Sequence, residues 1–362
     1  MIRFLDIYKQ DKKIHNKILS KIHNLFKKGD FILGNEVRLF EKNFTLLSKT
    51  KFAIGCANGT DALTLALKSL NLKSGSEVII PAMTYCSTAF SVINANLKPI
   101  LADIDYRKPT ICVNEIKKKI TSKTKVIMPV HLYGSVANIQ GIRKLINKRK
   151  IFIIDDCAQA HGSKDDRGKS VGSLADISTF SLYPGKNLGA YGDAGIITTN
   201  NKKIYMKLLK LRNLGAIKKF KHEEVGLNSR LDTIQAIILN EKIRYLKKNN
   251  DKRVKLAKIY NKNIKNRLIT KIIYSKYSVF HQYVILVQNR NKFTKYLDKN
   301  NIQYGFHYPK CIHELDIFRK DFKNKRFPNS ETISKHGVSL PIDPNLSSRN
   351  LNFIIKTVNE YR

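Results

Sequence analysis

The first periodic pattern in the chain is helical. Ile14, Ile18, Leu19, Ile22, Leu25 and Phe26 recur every three or four positions and stop at Gly29-Asp30, which predicts an amphipathic helix over 14–26. Val37, Phe40, Phe44 and Leu47 predict a second helix over 36–48, and Phe31-Ile32-Leu33-Gly34 reads as the turn between the two. From residue 52 the pattern changes. Short apolar runs of strand length fall at 52–56, 78–81, 99–103, 125–129, 151–155, 177–181 and 195–199, most of them separated by helical segments such as 61–70 and 139–147. Strands that alternate with helices imply an α/β fold with a mainly parallel sheet covered on both faces, and sites in such sheets gather at the carboxyl ends of the strands.

Beyond Leu231 a long helical stretch runs over 232–246 and on toward 260, with Ile234, Ile237, Ile238 and Ile243 apolar. A strand at 282–286, a helix at 292–299, a strand at 303–307 and a closing helix at 350–361 then form a second unit. The 362 residues exceed what one hydrophobic core usually organises, so the chain divides into units of 1–245 and 246–362.

Composition narrows the class. The chain is 42% hydrophobic, yet no apolar run approaches the roughly 20 residues of a membrane span, and Met1 to Asp6 has no signal-peptide character, so a cytoplasmic protein without membrane contact is expected. Cys56, Cys86, Cys112, Cys157 and Cys311 are scattered without metal-site spacing and read as reduced core residues; no metal is expected. A net charge of +39 would ordinarily point to nucleic acid. Here the lysines are spread along the whole chain, with denser runs at 117–119, 218–221 and 247–252, and they are not interleaved with aromatics. No nucleic-acid motif accompanies them, so a Lys/Asn/Ile compositional bias is the preferred reading and nucleic acid is not expected as a partner.

Four stretches carry chemistry. Lys186 is the only cation in a long turn with Pro184, Gly185, Gly189, Gly192 and Gly195, just after the strand that ends at Ser181. A lysine held there is partly desolvated and nucleophilic, suited to a Schiff base with a cofactor aldehyde. Asn58-Gly59-Thr60-Asp61 follows a strand and opens a helix, the arrangement of an anion site, although from local sequence alone an ordinary helix cap by Asn58 or Thr60 is the favoured reading. Asp155-Asp156-Cys157-Ala158-Gln159-Ala160-His161 places two carboxylates after a buried strand, where one could face a protonated pyridine nitrogen; a helix N-cap is an even alternative, although it explains only one Asp. Asn228-Ser229-Arg230-Leu231-Asp232 is a polar cluster leading into an apolar helix. The glycines at 189, 192 and 195 precede a strand and so are not a dinucleotide fingerprint.

Taken with Tyr183-Pro184-Gly185-Lys186-Asn187-Leu188-Gly189, these stretches resemble the DegT/DnrJ/EryC1/StrS family of pyridoxal-phosphate-dependent nucleotide-sugar aminotransferases, from Ile32-Leu33-Gly34 to Ser339-Leu340-Pro341. The resemblance implies an aspartate-aminotransferase-like fold (fold type I), with a seven-stranded sheet, a smaller C-terminal α/β domain, and a homodimer with shared active sites. It implies pyridoxal 5'-phosphate as cofactor, with Lys186 as the attaching amine and proton shuttle and Asp156 as the partner of the pyridinium nitrogen. Gly59, Thr60 and Ser181 match phosphate positions, and Asn228 matches a phosphate ligand from the partner subunit. Tyr85 matches an aromatic ring over the cofactor, and Gln159 a side chain near its phenolic oxygen. His161, His307 and Tyr308 match positions near the sugar nucleotide. Cys157 stands where Ala is usual, and Asp155 where Glu is more frequent. A branch that carries histidine in place of the lysine dehydrates its sugar, and Lys186 argues against that branch. L-Glutamate is the implied amino donor. A dTDP- or UDP-linked 3-keto sugar is the implied acceptor, because Phe280-His281-Gln282-Tyr283-Val284 and Phe306-His307-Tyr308-Pro309 resemble segments of 3-aminotransferases; a 4-keto sugar is the alternative, and the product would feed surface polysaccharide.

Overall fold

The computed structural model describes residues 1–218 and 220–362; within the basic run 218–221, Lys219 lies outside the described residues. The two N-terminal helices form at His15–Lys28 and Asn35–Ser48. Seven strands follow: β1 (Phe52–Cys56), β2 (Glu77–Pro81), β3 (Lys98–Ala102), β4 (Thr124–Ile127), β5 (Phe152–Asp156), β6 (Ile177–Ser181) and β7 (Gly195–Thr199). They make one sheet of order β1-β7-β6-β5-β4-β2-β3. The five strands from β6 to β3 run parallel, whereas β7 lies antiparallel between β6 and β1. The mostly parallel sheet expected from the alternation of strands and helices is therefore present, closed at one side by an antiparallel strand.

Successive strand residues go to opposite cores, as the pleat requires. Ile79, Ile153 and Ile196 pack on one face with Phe40, Phe44 and Phe180. Ile80, Ile154 and Ile197 pack on the other with Leu63, Leu65 and Leu208. Fully buried strands of this kind explain why the runs in the sequence are continuously apolar.

A single helix, Thr233–Asn263, passes without a break through residue 245. Its first half buries Ala236 and Leu239 against the large sheet, and its second half buries Leu256, Ala257 and Tyr260 against the C-terminal unit. That unit holds an antiparallel sheet in the order β10-β9-β8, from β8 (Ile269–Lys271), β9 (Tyr283–Val287) and β10 (Gly337–Leu340). It also holds helices Arg290–Lys299 and Ser348–Glu360.

The expected strand at 303–307 does not form. Gly305 makes a single bridge to Ser339, and Ile302 one to Ile2. The segment spends its remaining polar groups elsewhere: Gln303 Oε1 accepts from the Phe4 N–H at 2.8 Å, and His307 Nδ1 bonds Ser339 Oγ at 2.8 Å. Among the described residues no helix is long and apolar enough to cross a membrane.

Candidate active site

The carboxyl ends of β5 and β6 and the loop after β2 surround a cavity of about 710 Å³. Asn58, Gly59, Thr60, Tyr85, Asp156, Gln159, Ser181, Lys186 and Tyr308 line it. Residues far apart in sequence thus meet at one place because their strands lie side by side.

The anion end is built by the helix Gly59–Ser69. Asn58 caps it, its Oδ1 accepting from the Asp61 N–H at 2.8 Å. The cap leaves the first backbone N–H groups and the positive helix end facing the cavity. Gly59 is required by contact: a Cβ there would lie 2.6 Å from Ser181 Cβ. The hydroxyls of Ser181, Thr60 and Ser87 complete the region, with Thr60 Oγ1 2.8 Å from Ser87 Oγ.

Asp156 ends β5 with its carboxylate held from two sides. Oδ1 accepts from the Ala158 N–H and Oδ2 from the Thr88 hydroxyl, each at 3.0 Å. Burial pushes its pKa up, while these donors and the charge of Lys186 oppose the rise. Among the described residues it has no ion pair, so a cationic N–H arriving in the cavity would find a carboxylate waiting.

Asp155, on the opposite side of the strand, faces away and bonds His131 Nε2 at 3.0 Å. His131 Nδ1 accepts from the Ala137 N–H at 3.1 Å, which puts the ring proton on Nε2. Cys157 completes a buried trio with these two residues, but both histidine nitrogens are engaged and the thiol leans on the Asp155 carbonyl. These contacts leave the trio a structural role.

Lys186 sits in a closed turn. Its N–H donates to the Tyr183 carbonyl at 2.9 Å, and the Ala190 N–H donates to the Leu182 carbonyl at 2.8 Å. A Cβ at Gly189 would fall 2.4 Å from the Pro184 carbonyl oxygen, so only glycine closes the loop. Burial lowers the Lys186 pKa to about 8, against the opposing pull of Asp156. At pH 8 about half of such amines are neutral, compared with about 0.3% of an ordinary lysine.

Gln159 is fixed at both ends. Its Oε1 accepts from the Tyr133 N–H at 2.6 Å, and its Nε2 donates to Tyr308 Oη at 2.8 Å. Tyr85 is 54% exposed at the mouth, with its ring 5.3 Å from that of Tyr308.

Three expected site residues do not line the cavity. The His161 ring is fully buried 5.5 Å from the Phe180 ring, outside the cavity lining, and burial lowers its pKa to about 3. His307 stacks on Phe4 at 5.9 Å with Nδ1 turned to Ser339, so at this corner only Tyr308 reaches the cavity. Asn228 is exposed on the loop before the long helix, paired with Asn213 through a single bridge.

Sequence reasoning missed Thr84, Ser87, Thr88 and Asp193, the first three from one segment after β2. The signal was present in Thr84-Tyr85-Cys86-Ser87-Thr88, a run dense in hydroxyl groups directly after an apolar strand.

The model of the DegT/DnrJ/EryC1/StrS aminotransferase family matches residues 12–359. The chain belongs to this family. Among its relatives, the dTDP-3-amino-3,6-dideoxy-alpha-D-galactopyranose transaminase of Aneurinibacillus thermoaerophilus is 40% identical over 100% of this chain and 99% of its own. Two solved structures share the architecture. DesV of S. venezuelae, captured with a ketimine intermediate, superposes with a TM-score of 0.96 at 31% identity, covering 99% of this chain and 98% of that one. NtdA from Bacillus subtilis, with bound cofactor PMP, superposes with a TM-score of 0.90 at 30% identity, covering 99% of this chain and 84% of that one. The present chain is an α/β aminotransferase with the fold of these proteins.

Proposed function

We propose that this enzyme uses pyridoxal 5'-phosphate to move an amino group from L-glutamate to a dTDP-linked 3-keto sugar. The observation that carries the choice of sugar is the full-length 40% identity to a transaminase named for a dTDP-linked 3-amino sugar. A UDP-linked 3-keto sugar is the runner-up and a 4-keto sugar follows. The test is a panel of synthesised keto-sugar nucleotides offered with glutamate. A 3-aminated dTDP-sugar identified by mass and NMR is expected, and amination confined to a 4-keto substrate would overturn the position.

The residues fit the cofactor. The Gly59 and Thr60 N–H groups and the Ser181 hydroxyl offer donors to its phosphate, Asp156 offers a buried acceptor to its ring nitrogen, and Lys186 offers an amine to its aldehyde. When bound, pyridoxal phosphate supplies the carbon that carries the amino group and a ring that accepts electron density. The chain's own work is narrower. Lys186 Nζ, neutral in a large fraction near pH 8, takes a proton from the donor Cα and returns one to the sugar carbon that gains nitrogen. Asp156 keeps the ring nitrogen protonated, and Gln159 holds Tyr308 at the wall. Gly59→Ala is expected to push Ser181 off the anion site and weaken cofactor binding at least about tenfold, read by titrating cofactor into the stripped protein.

The same proposal covers the assembly, with the two-unit division at 245, a cytoplasmic site suited to five free thiols, and a product destined for surface polysaccharide. Asn228 belongs in it as a phosphate ligand given to the partner's cavity. Its loop exposes two apolar side chains among charged ones, Val225 at 92% and Ile217 at 49%, as suits a surface that meets a second copy. Mixing Asn228→Ala with Lys186→Ala, each inactive alone, is expected to recover about a quarter of parental activity, because half the dimers are hybrids holding one intact site of two. A mixture as inactive as its parents would place each site within one chain.

A further inference from the structure

Asn187, directly after Lys186, is 4% exposed and makes three hydrogen bonds. Its Nδ2 donates to Asn250 Oδ1 at 2.9 Å and to the Val279 carbonyl at 3.4 Å, and its Oδ1 lies 3.0 Å from His281 Nδ1. The orientation is unambiguous, because flipping the amide would set its oxygen against the Val279 carbonyl. Nδ1 of His281 therefore carries the proton and donates. The bare Nε2 faces Gln282 Nε2 at 3.4 Å. Asn250 in turn donates from Nδ2 to the His161 carbonyl at 2.8 Å, which ties in the loop that follows Asp156.

We propose that Asn187 and His281 are a positioning pair that sets the Lys186 turn from the C-terminal unit. Two elements hold Asn187 directly, the long helix through Asn250 and the 279–282 segment that enters β9, and the loop carrying His161 is joined to them through Asn250. The Lys186 backbone is thereby held from outside its own turn. A buried polar group with all its bonds made resists displacement, since each bond broken leaves an unsatisfied partner out of water. The segment 280–284, noted in the sequence beside the substrate motifs, then acts on the reactive amine and has no need to touch the sugar. Burial and the neighbouring Lys186 and Arg253 hold His281 neutral, which keeps its single proton directed at Asn187. The other groups that sense the Lys186 charge are Asp156, His161 and His307, from β5, the loop after it and the segment before Tyr308.

The inference rests on reading Lys186 as the reactive amine, and its test reads that amine directly. Full-length protein freed of cofactor is labelled with a small amine-specific reagent across pH, and the Lys186 peptide is followed by mass spectrometry. The parent is expected to titrate near pH 8. His281→Leu is expected to move the midpoint up by about one unit, as the slackened turn lets water reach the amine, and so cut labelling at pH 8 about fivefold. In the loaded enzyme kcat should fall about tenfold with KM within about twofold, and His281→Asn, which keeps a donor on the same side of the ring, should recover most of both. If His281→Leu does not fold, Asn250→Ala removes the other anchor of Asn187 and is read in the same way. A variant with lowered thermal stability but parental labelling and kcat would overturn the proposal, as would a His281→Asn protein as impaired as His281→Leu. A parent that labels near pH 8 yet aminates no sugar would count against the proposed function and leave the positioning pair standing.

Discussion

A Lys186→Ala protein is expected to fold normally and to transfer amino groups at least about 10⁴-fold more slowly than the parent, a barrier rise of about 5.5 kcal/mol. The size follows from what the side chain does twice over. Among the described residues it is the only amine lining the cavity, its pKa is drawn down to about 8 by burial, and no other described group there combines reach with a neutral base near physiological pH. His161 is no substitute, since its ring is buried against Phe180 outside the cavity lining. Cofactor affinity should fall much less than turnover, because Gly59, Thr60, Ser181 and Asp156 all remain. Turnover within tenfold of the parent would remove Lys186 from the chemistry.

Asp156→Asn is expected to cost about 10²- to 10³-fold in kcat while leaving the cofactor-free protein as stable as the parent or more so. An amide keeps the shape and can still accept from the Ala158 N–H, while Thr88 can turn to accept from the new N–H group. What it loses is the negative charge that keeps a ring nitrogen protonated. The stability sign follows from the direction of the shift. Burial holds the folded pKa above 3.8, so between the unfolded and folded values the native state binds more protons and stability falls as pH rises. At neutral pH the lone carboxylate is therefore a cost to the empty protein, which the amide removes. Thermal melting of both proteins without cofactor, beside steady-state kinetics with it, checks the two halves; near-parental turnover would contradict the role.

Much of this was legible in the sequence because the chemistry sits where strands end. Gly59, Asp156, Ser181 and Lys186 each follow an apolar run of five residues or so, and a parallel sheet brings such ends together whatever lies between them. The seven strands of the large sheet were legible for the same reason, being buried on both faces. Less regular pairing was not. The segment 303–307 has strand composition, yet it bonds Phe4 and Ser339 through its side chains and leads into Tyr308, and β10, only four residues long, takes the edge of β9 in its place. Thr88 escaped notice because its value comes from a hydrogen bond to a residue 68 positions away. His161 and His307 match family motifs, but a motif does not record which side of a loop faces the cavity.

The most direct test of the central claim is a single isotope experiment on the loaded enzyme. With [¹⁵N]glutamate and a dTDP-3-keto sugar, the account predicts one 2-oxoglutarate released for each sugar formed, with the label bonded to C3 of the product by NMR. Consumption of the keto sugar with no nitrogen gained, or label carried to another carbon, would contradict it.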